Sequence, residues 1–436
     1  MHLRFLRLAQ ALVVGGAATL AGCGSWTTMP PIADRTVIGR GDPAFDVPTV
    51  QAAVDQGGTV LLKGTFDFGD KGQVRLTRDV AVVGASDAQG RPLTTIRGGF
   101  ASLRSVPPEV VTGPGPRIEI RSIRFDGAQW TPMQLMYTSG VTVAGTSVSG
   151  VKPVAFPPGP ISGGRPYNMQ HAVIVGGGSL EPGKGVPYRP GTATGAVKII
   201  GNDFDLANNV PRSTIAQAIF MVYTTGVEAD IARNRIRNVA RNGIETIDNF
   251  RGPDGKGSIT VRDNDIETPA EGAPMPTPRA PNGIVLGYFL DPAAAADPRR
   301  AVDHTVTRNT IRAGAQTPAS VAISVLADGA TVSENHIVLA GPGTYGILVS
   351  GSGNKVLRNR IEGAGAMGMA VMPVPPLKGG GNELVGNDFE RLKVPRSALA
   401  FSKGADGNTV SGRGTVLDAG EGNLKQGMQP FVEAPK

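Results

Sequence analysis

One cysteine and four histidines in 436 residues leave nothing from which to build a disulfide framework or a Cys-based zinc site. Aromatic residues make up only 5% of the chain, so its core has to come from Val, Ile, Leu and Ala. The apolar run Leu8 to Leu20 is too short to cross a bilayer. Charge of one sign is also scarce: 43 Lys and Arg stand against 36 Asp and Glu, a net +7. Without Arg4 and Arg7 of the leading segment the balance is +5, too dilute over this length for a nucleic-acid partner. No metal site and no cofactor are expected. Glycine (61) and proline (35), the residues of turns, are plentiful.

The first residues read as an address. His2 to Arg7 is basic, and the short apolar run follows it. Leu20-Ala21-Gly22-Cys23 resembles the box of a bacterial lipoprotein signal. That resemblance covers about 23 residues. It implies cleavage before Cys23, diacylation of its sulfur and acylation of the new N-terminus; more than one chain is what stable anchoring needs. Gly24, not Asp, comes next, which points to an outer-membrane or cell-surface lipoprotein, with a periplasm-exposed one as the alternative. Residues 1–22 are thus read as signal peptide and 23–44 as tether.

The remainder, 45–436, carries an irregular repeat. Asn, one residue, then Ile or Phe occurs at Asn202, Asn234, Asn264, Asn309, Asn335, Asn359 and Asn387, at intervals of 32, 30, 45, 26, 24 and 28 residues. A small residue followed by an apolar one precedes each: Ala172-Val173, Ala218-Ile219, Gly243-Ile244, Gly283-Ile284, Ala322-Ile323, Gly346-Ile347, Gly368-Met369. An eighth such pair, Ala398-Leu399, is followed by Asn408-Thr409-Val410. Around both anchors apolar residues alternate, a period of two. One-sided strands with Gly-rich turns, repeated at a near-constant minimum, describe a solenoid whose coils bury each other's inner faces. The pattern resembles the right-handed parallel β-helix superfamily of pectate lyases and NosD-like proteins, over roughly residues 45–415. The expected fold is all-β: a single-domain right-handed parallel β-helix with a short N-terminal capping helix.

The segment 45–70 reads as the cap. Asp46 and Pro48 suit a helix start, and Val50, Ala53 and Val54 fall on one helical face. Residues 416–436 read as a C-terminal tail. The recurring Asn is best explained as a stack of buried amides, coil upon coil. The residue before it runs Gly201, Arg233, Asp263, Arg308, Glu334, Arg358, Gly386, with signs alternating from Arg233 to Arg358. Such charges share outward parity and pair across coils, which removes them as catalytic candidates.

Few motifs survive. Gly341 to Gly346 matches G-x-G-x-x-G but leads into a strand, so it is a turn. Met369 of the Met-rich stretch falls in the buried row. Asp303-His304 keeps half of the Asp-Pro-His-Asp box of alginate epimerases. No catalytic signature is intact. Position is the remaining guide. Long insertions cluster at 152–170, 179–195, 250–258, 268–281 and 287–303. The outward residue after each small-apolar pair is uncharged except at Glu245, between Phe220 and Val285. A carboxylate flanked by apolar groups is expected to have a raised pKa, as a general acid needs. Asp248, Asn249 and Arg251 follow it; Tyr223 and Tyr288 lie on the adjoining coils, and His171 lies two coils away.

Two functions follow. A polysaccharide hydrolase would use Glu245 and Asp248 as its carboxylate pair, and a lyase would draw on Arg251, Tyr223 and His171. In either case Tyr223, Tyr288, Asn249 and His171 would hold the sugar. The alternative is a non-catalytic envelope scaffold that binds glycan or protein, with loops packed over the Glu245 row. A polysaccharide partner and a membrane contact through the Cys23 anchor are common to both. The lipid box carries its own test: Cys23→Ser should release the protein from membranes or leave it uncleaved, read by fractionation and by mass. A cleaved product still extracted with membranes would overturn the anchor.

Overall fold

The computed structural model describes residues 35–432 except 110, 157–166, 177–179, 182–183, 186–192, 207–213, 240, 269–281, 288–301 and 315–319. Cys23, the signal and most of the tether therefore lie outside the described residues. So do Tyr288 and large parts of four of the five insertions.

The chain is a right-handed parallel β-helix. Each coil lays one strand in each of three sheets. A well-formed coil runs Glu228–Ala232 in sheet A, Arg235–Arg237 in sheet B and Asn242–Ile247 in sheet C. Sheet A has 14 strands, from Arg35–Ile38 to Leu424–Gln426. Sheet B has 11, from Thr65–Asp67 to Leu392–Lys393. Sheet C has 14, from Val74–Arg75 to Gln429–Pro430. The stack thus continues through most of the segment expected to be a tail.

The capping helix is present but begins earlier than expected. It spans Pro43–Val54, with Asp42 as N-cap accepting from the Ala44 N–H at 2.9 Å. Two Asp residues precede a proline here, and Asp42-Pro43 wins because it puts proline at the first helical position, where no N–H is missed. Asp46 is buried in the first turn. Its carboxylate accepts from the backbone of Arg40, Asp42 and Asp67 at 2.9, 3.1 and 2.8 Å, stitching the helix to the first strands. Val50, Ala53 and Val54 are buried as expected.

Inside the coils the expected rows are in register. Val173, Ile219, Ile244, Ile284, Ile323, Ile347, Met369 and Leu399 stack directly along sheet C. Phe204, Ile236, Ile266, Ile311 and Ile337 do the same in sheet B. All are fully or nearly fully buried, each contributing roughly 1.5–3 kcal/mol. In sheet C the small residue ahead of this row also faces the core, so two consecutive residues, such as Ala218 and Ile219, point inward. In the strands from Tyr167–Gly176 to Met367–Val371 the pairing register skips this small residue. The room is limited: a Cβ on Gly346 would lie 2.2 Å from the carbonyl oxygen of Gly368 on the next coil.

The turn from sheet A to sheet B holds the amide stack. Asn309 donates from Nδ2 to Asn335 Oδ1 at 3.0 Å and to the Val261 carbonyl at 3.0 Å. Its own backbone N–H also reaches Asn335 Oδ1, at 3.0 Å. Its Oδ1 accepts the same pair of bonds from Asn264. The pattern repeats from Asn202 to Asn387, and Thr146 opens the series by donating to Asn202. Asn408 belongs elsewhere. It forms a second stack with Asn354, Asn382 and Asn423, at the turn into sheet A. At Asn354, Asn382 and Asn408 this turn too reads Asn, one residue, apolar, so the sequence there does not distinguish the two turns.

The residue before each Asn of the first stack is left-handed: Arg233, Asp263, Arg308, Glu334 and Arg358 all have φ between 51° and 58°. Their side chains leave the turn outward, and Asp263 pairs across coils with Arg308 at 2.8 Å and Glu334 with Arg358 at 2.9 Å, whereas among the described residues Asp263 takes Arg262, not Arg233, as its other partner. The hydrogen bond from Arg308 holds the Asp263 carboxyl below its ordinary pKa. Each such exposed pair is worth little, about 0–1 kcal/mol. The amides are worth more. Asn309→Leu strands donors on Asn264 and acceptors on Asn335 and Val261, at about 1–3 kcal/mol for each unsatisfied group. A sharply lowered urea midpoint is expected; an unchanged one would show that the stack does not stabilise the coil.

Candidate functional site

The outer face of sheet C holds the residues singled out from sequence. Glu245 does register with Phe220 and Val285 on the outward row. That row is not open. Glu245 is 2% exposed, within a second apolar layer that lies outside the sheet. Trp130, Phe156, Ile174, Phe220 and Val285 belong to this layer. Phe156 comes from the 152–170 insertion, where Val154–Phe156 pairs antiparallel with the start of the next sheet C strand. The neighbours of Glu245 are also not all apolar. Gln217 and Asn242 each donate a side-chain N–H to its Oε2, both at 2.6 Å. Simple alternation puts position 217 on the opposite face from 220; the kink at Ala218-Ile219 puts both outward.

The companions of Glu245 are equally enclosed. His171 is fully buried, stacked on Phe220 with ring centroids 5.6 Å apart, and neither ring nitrogen has a hydrogen-bond partner. Burial, and then the nearby Arg241 charge, push its pKa down to about 3. Tyr223 and Asp248 take the same left-handed turn position on successive coils, with φ of 53° and 52°. Tyr223 lies against Phe250 at 6.3 Å. Asn249 is another turn amide: its Oδ1 accepts from the Thr224 hydroxyl at 2.7 Å and from the Thr224 N–H at 3.2 Å. Arg251 stands apart, reaching Asp303 at 2.6 Å and the Gly255 carbonyl at 2.8 Å. His304 points into the solenoid interior beside Ile259, buried and neutral, its pKa lowered by desolvation to about 4. The structure thus gathers His171, Tyr223, Glu245, Asp248 and Asn249 on one side of the solenoid, each of them buried.

An open groove lies on another face. It occupies about 700 Å³ on the outside of sheet B, in the N-terminal half. Its wall is the hairpin of Asp87 and Arg91, which are paired at 2.6 Å. Its floor is where small residues interrupt the outward charges, among which Arg124, Asp203, Asp205 and Arg237 remain. The left-handed position that carries Arg233 to Arg358 farther along is here Ser122, Gly145 and Gly201. The next outward column runs Thr95, Arg124, Ser147, Asp203 across four coils. Ser149 replaces a charge in the third column. Where long side chains fill the surface elsewhere, Gly and Ser leave a trough. Two signs of it are present in the sequence: the stretch Ala85 to Pro92, longer than a turn needs, and the loss of charge at 145–149.

No family model and no curated protein sequence matches this chain. Among solved structures, it is similar to the A-module of a mannuronan C-5 epimerase from Azotobacter vinelandii. The identity is 13%, the match covers 91% of this chain and 98% of that one, and the TM-score is 0.46. It is also similar to the Streptococcus pneumoniae surface protein and adhesin PfbA, at 14% identity over 89% and 99% of the two chains, with a TM-score of 0.44. An alginate lyase from a Paenibacillus species gives 13% identity over 91% and 99%, with a TM-score of 0.32.

His171 supplies a pH test of the enclosure. Its folded pKa, about 3, lies below its ordinary 6.5. Below pH 6.5 the unfolded chain takes up a proton that the folded chain refuses, so this stability is complete above pH 6.5 and is lost as pH falls toward 3. The slope is about 1.4 kcal/mol per pH unit for one group. Between pH 7 and 5, His171→Phe should lose about 2 kcal/mol less unfolding free energy than the parent chain. Equal losses in urea titrations would mean that His171 is hydrated.

Proposed function

We propose that this chain is an envelope-anchored solenoid that binds an extracytoplasmic polysaccharide through the sheet B groove and does not cleave it. The observation that carries the reading is the groove itself: about 700 Å³ of open trough where Gly145, Ser147, Ser149 and Gly201 leave room among the charged side chains of Arg124, Asp203, Asp205 and Arg237. Sugars are recognised by hydroxyl, carboxylate and guanidinium groups on a rigid surface, and a β-helix face is rigid and long. The coils repeat along it at roughly 4.8 Å, so an extended polymer meets equivalent positions as it runs down the axis. Against catalysis stands the state of the Glu245 row. An acid that must protonate a glycosidic oxygen has to reach hydrogen-bond distance of it, and Glu245 is enclosed with both amide donors already on Oε2. Asp248, which a hydrolase would need as second carboxylate, is buried too. The Cys23 anchor would hold such a binder at the envelope, facing the polymer it retains.

Gly201→Arg tests the site. It puts into the groove the residue that Arg233 supplies at the equivalent position one coil on, where a Cβ meets nothing within 4 Å. The left-handed backbone costs an arginine about 1–2 kcal/mol, which the neighbouring coils already tolerate. The full chain in detergent should bind an acidic or mixed polysaccharide from a panel, release neither reducing ends nor unsaturated products, and lose at least tenfold in affinity with Gly201→Arg. Turnover of any glycan, or unaltered binding by a folded Gly201→Arg chain, would overturn the reading.

A further inference from the structure

The wall of the groove offers an apolar contact, and its size bears on which polymer fits. Leu93 lies on that wall and is 60% exposed. Of the large apolar side chains exposed among the described residues, it alone lines the groove. A lone exposed leucine means little by itself; its mounting sets it apart. Leu93 is the last residue before the sheet B strand Thr94–Arg97, and its N–H donates to the Ala85 carbonyl at 2.8 Å. Thr94 beside it is buried, its hydroxyl donating to the Leu62 carbonyl at 2.6 Å and accepting from the Ala85 N–H at 2.9 Å. At the far end of the hairpin Asp87 accepts from the backbone N–H groups of Gln89 and Arg91, at 3.0 and 2.8 Å, and from the Arg91 guanidinium. The hairpin is thus braced at both ends and holds Leu93 exposed, with Pro92 next to it on the wall. No aromatic residue is among the described residues that line the groove.

We propose that the groove selects a glycan whose sugars carry a methyl group, as an acetyl ester or at a 6-deoxy carbon, and that this methyl packs against Leu93; this rests on the glycan-binding reading above. The C–H face of a bare sugar ring is broad, and a flat aromatic side chain is what covers a surface of that size. The groove lines itself with none. A branched aliphatic side chain matches a single methyl group instead. Bringing the two together removes apolar surface of both from water, a gain that a hydroxyl in the same place does not give. The hydroxyls of the same sugar keep polar partners on the floor, where Ser147 lies in register with Arg124. Because the hairpin is already fixed by its own hydrogen bonds, little freedom is lost when the methyl docks, and most of the gain is kept.

The experiment is calorimetry on the full chain in detergent, with two matched pairs of polysaccharides. One pair is an acetylated polymer before and after mild alkaline removal of its esters. The other is a 6-deoxyhexose polymer and the hexose polymer of the same linkage. In at least one pair the methyl-bearing member should bind tighter by about fourfold, the factor for burying one carbon-sized apolar group, and the pair that shows it identifies the source of the methyl. Leu93→Ser should abolish the difference and leave the affinity for the methyl-free member as it was. Leu93→Met, which keeps an apolar contact, should retain the difference. Equal affinities within both pairs, a difference that survives Leu93→Ser, or one lost in Leu93→Met overturns the selection while leaving glycan binding in place. No binding to any of the four polymers overturns both.

Discussion

The structure depends on a buried amide that cannot be left alone. An Asn side chain inside a turn has two donors and an acceptor to satisfy, and burial without partners costs several kcal/mol. Stacking solves this only if each turn sits directly over the last, because Nδ2 and Oδ1 point along the axis. Once Asn309 has bonded to Asn335 and received Asn264, the three coils have a fixed register. The left-handed residue ahead of each Asn makes the turn tight enough to present the amide inward. That conformation is unfavourable for Arg or Asp by about 1–2 kcal/mol, and the amide bonds offset it. The apolar rows then follow, since a fixed register at the turn places Ile over Ile in the sheets on either side.

With the interior fixed in this way, the outside becomes a regular lattice of positions. Most are occupied by pairs of opposite sign, which add little stability and hold neighbours from like-charge contact. The lattice matters more as a background. Sheet C departs from it by acquiring a second apolar layer, to which Phe156 contributes from the strand Val154–Phe156. Sheet B departs from it by losing side chains, at Gly145, Ser147, Ser149 and Gly201. The first departure buries polar groups; the second leaves room for a ligand. A residue that breaks a repeat is therefore no guide to function by its chemistry alone. Glu245 breaks its row by adding charge and is enclosed, whereas Gly201 breaks its row by lacking one and lines the open groove.

The repeat, the coil class, the inward rows, the capping helix and the amide stack were all legible from the chain. Each is a local pattern repeated often enough to be seen: Asn, one residue, Ile; small then apolar; alternating signs at the left-handed position. The start of the helix and the role of Asn408 were not, because an Asp shortly ahead of a proline occurs twice, at 42–43 and 46–48, and Asn turns of the same local signature occur at two corners of the coil. Nor was the partnership of Gln217, Asn242 and Glu245. A kink of two consecutive inward residues reverses alternation, and only the packed sheet shows on which side of the kink each residue faces.

By itself the sequence determined which residues face in and which face out wherever a period of two holds unbroken, as on either side of the sheet C kink but not across it. What covers the outward residues was decided by the tertiary structure alone. An outward row can be solvated, paired, or roofed by a segment far away in the chain, as Phe156 joins the layer over sheet C. Exposure depends on contacts between segments whose separation no local pattern encodes. The same reason separates the two candidate sites: both are outward positions on a regular solenoid, and only their surroundings make one a sealed layer and the other a groove.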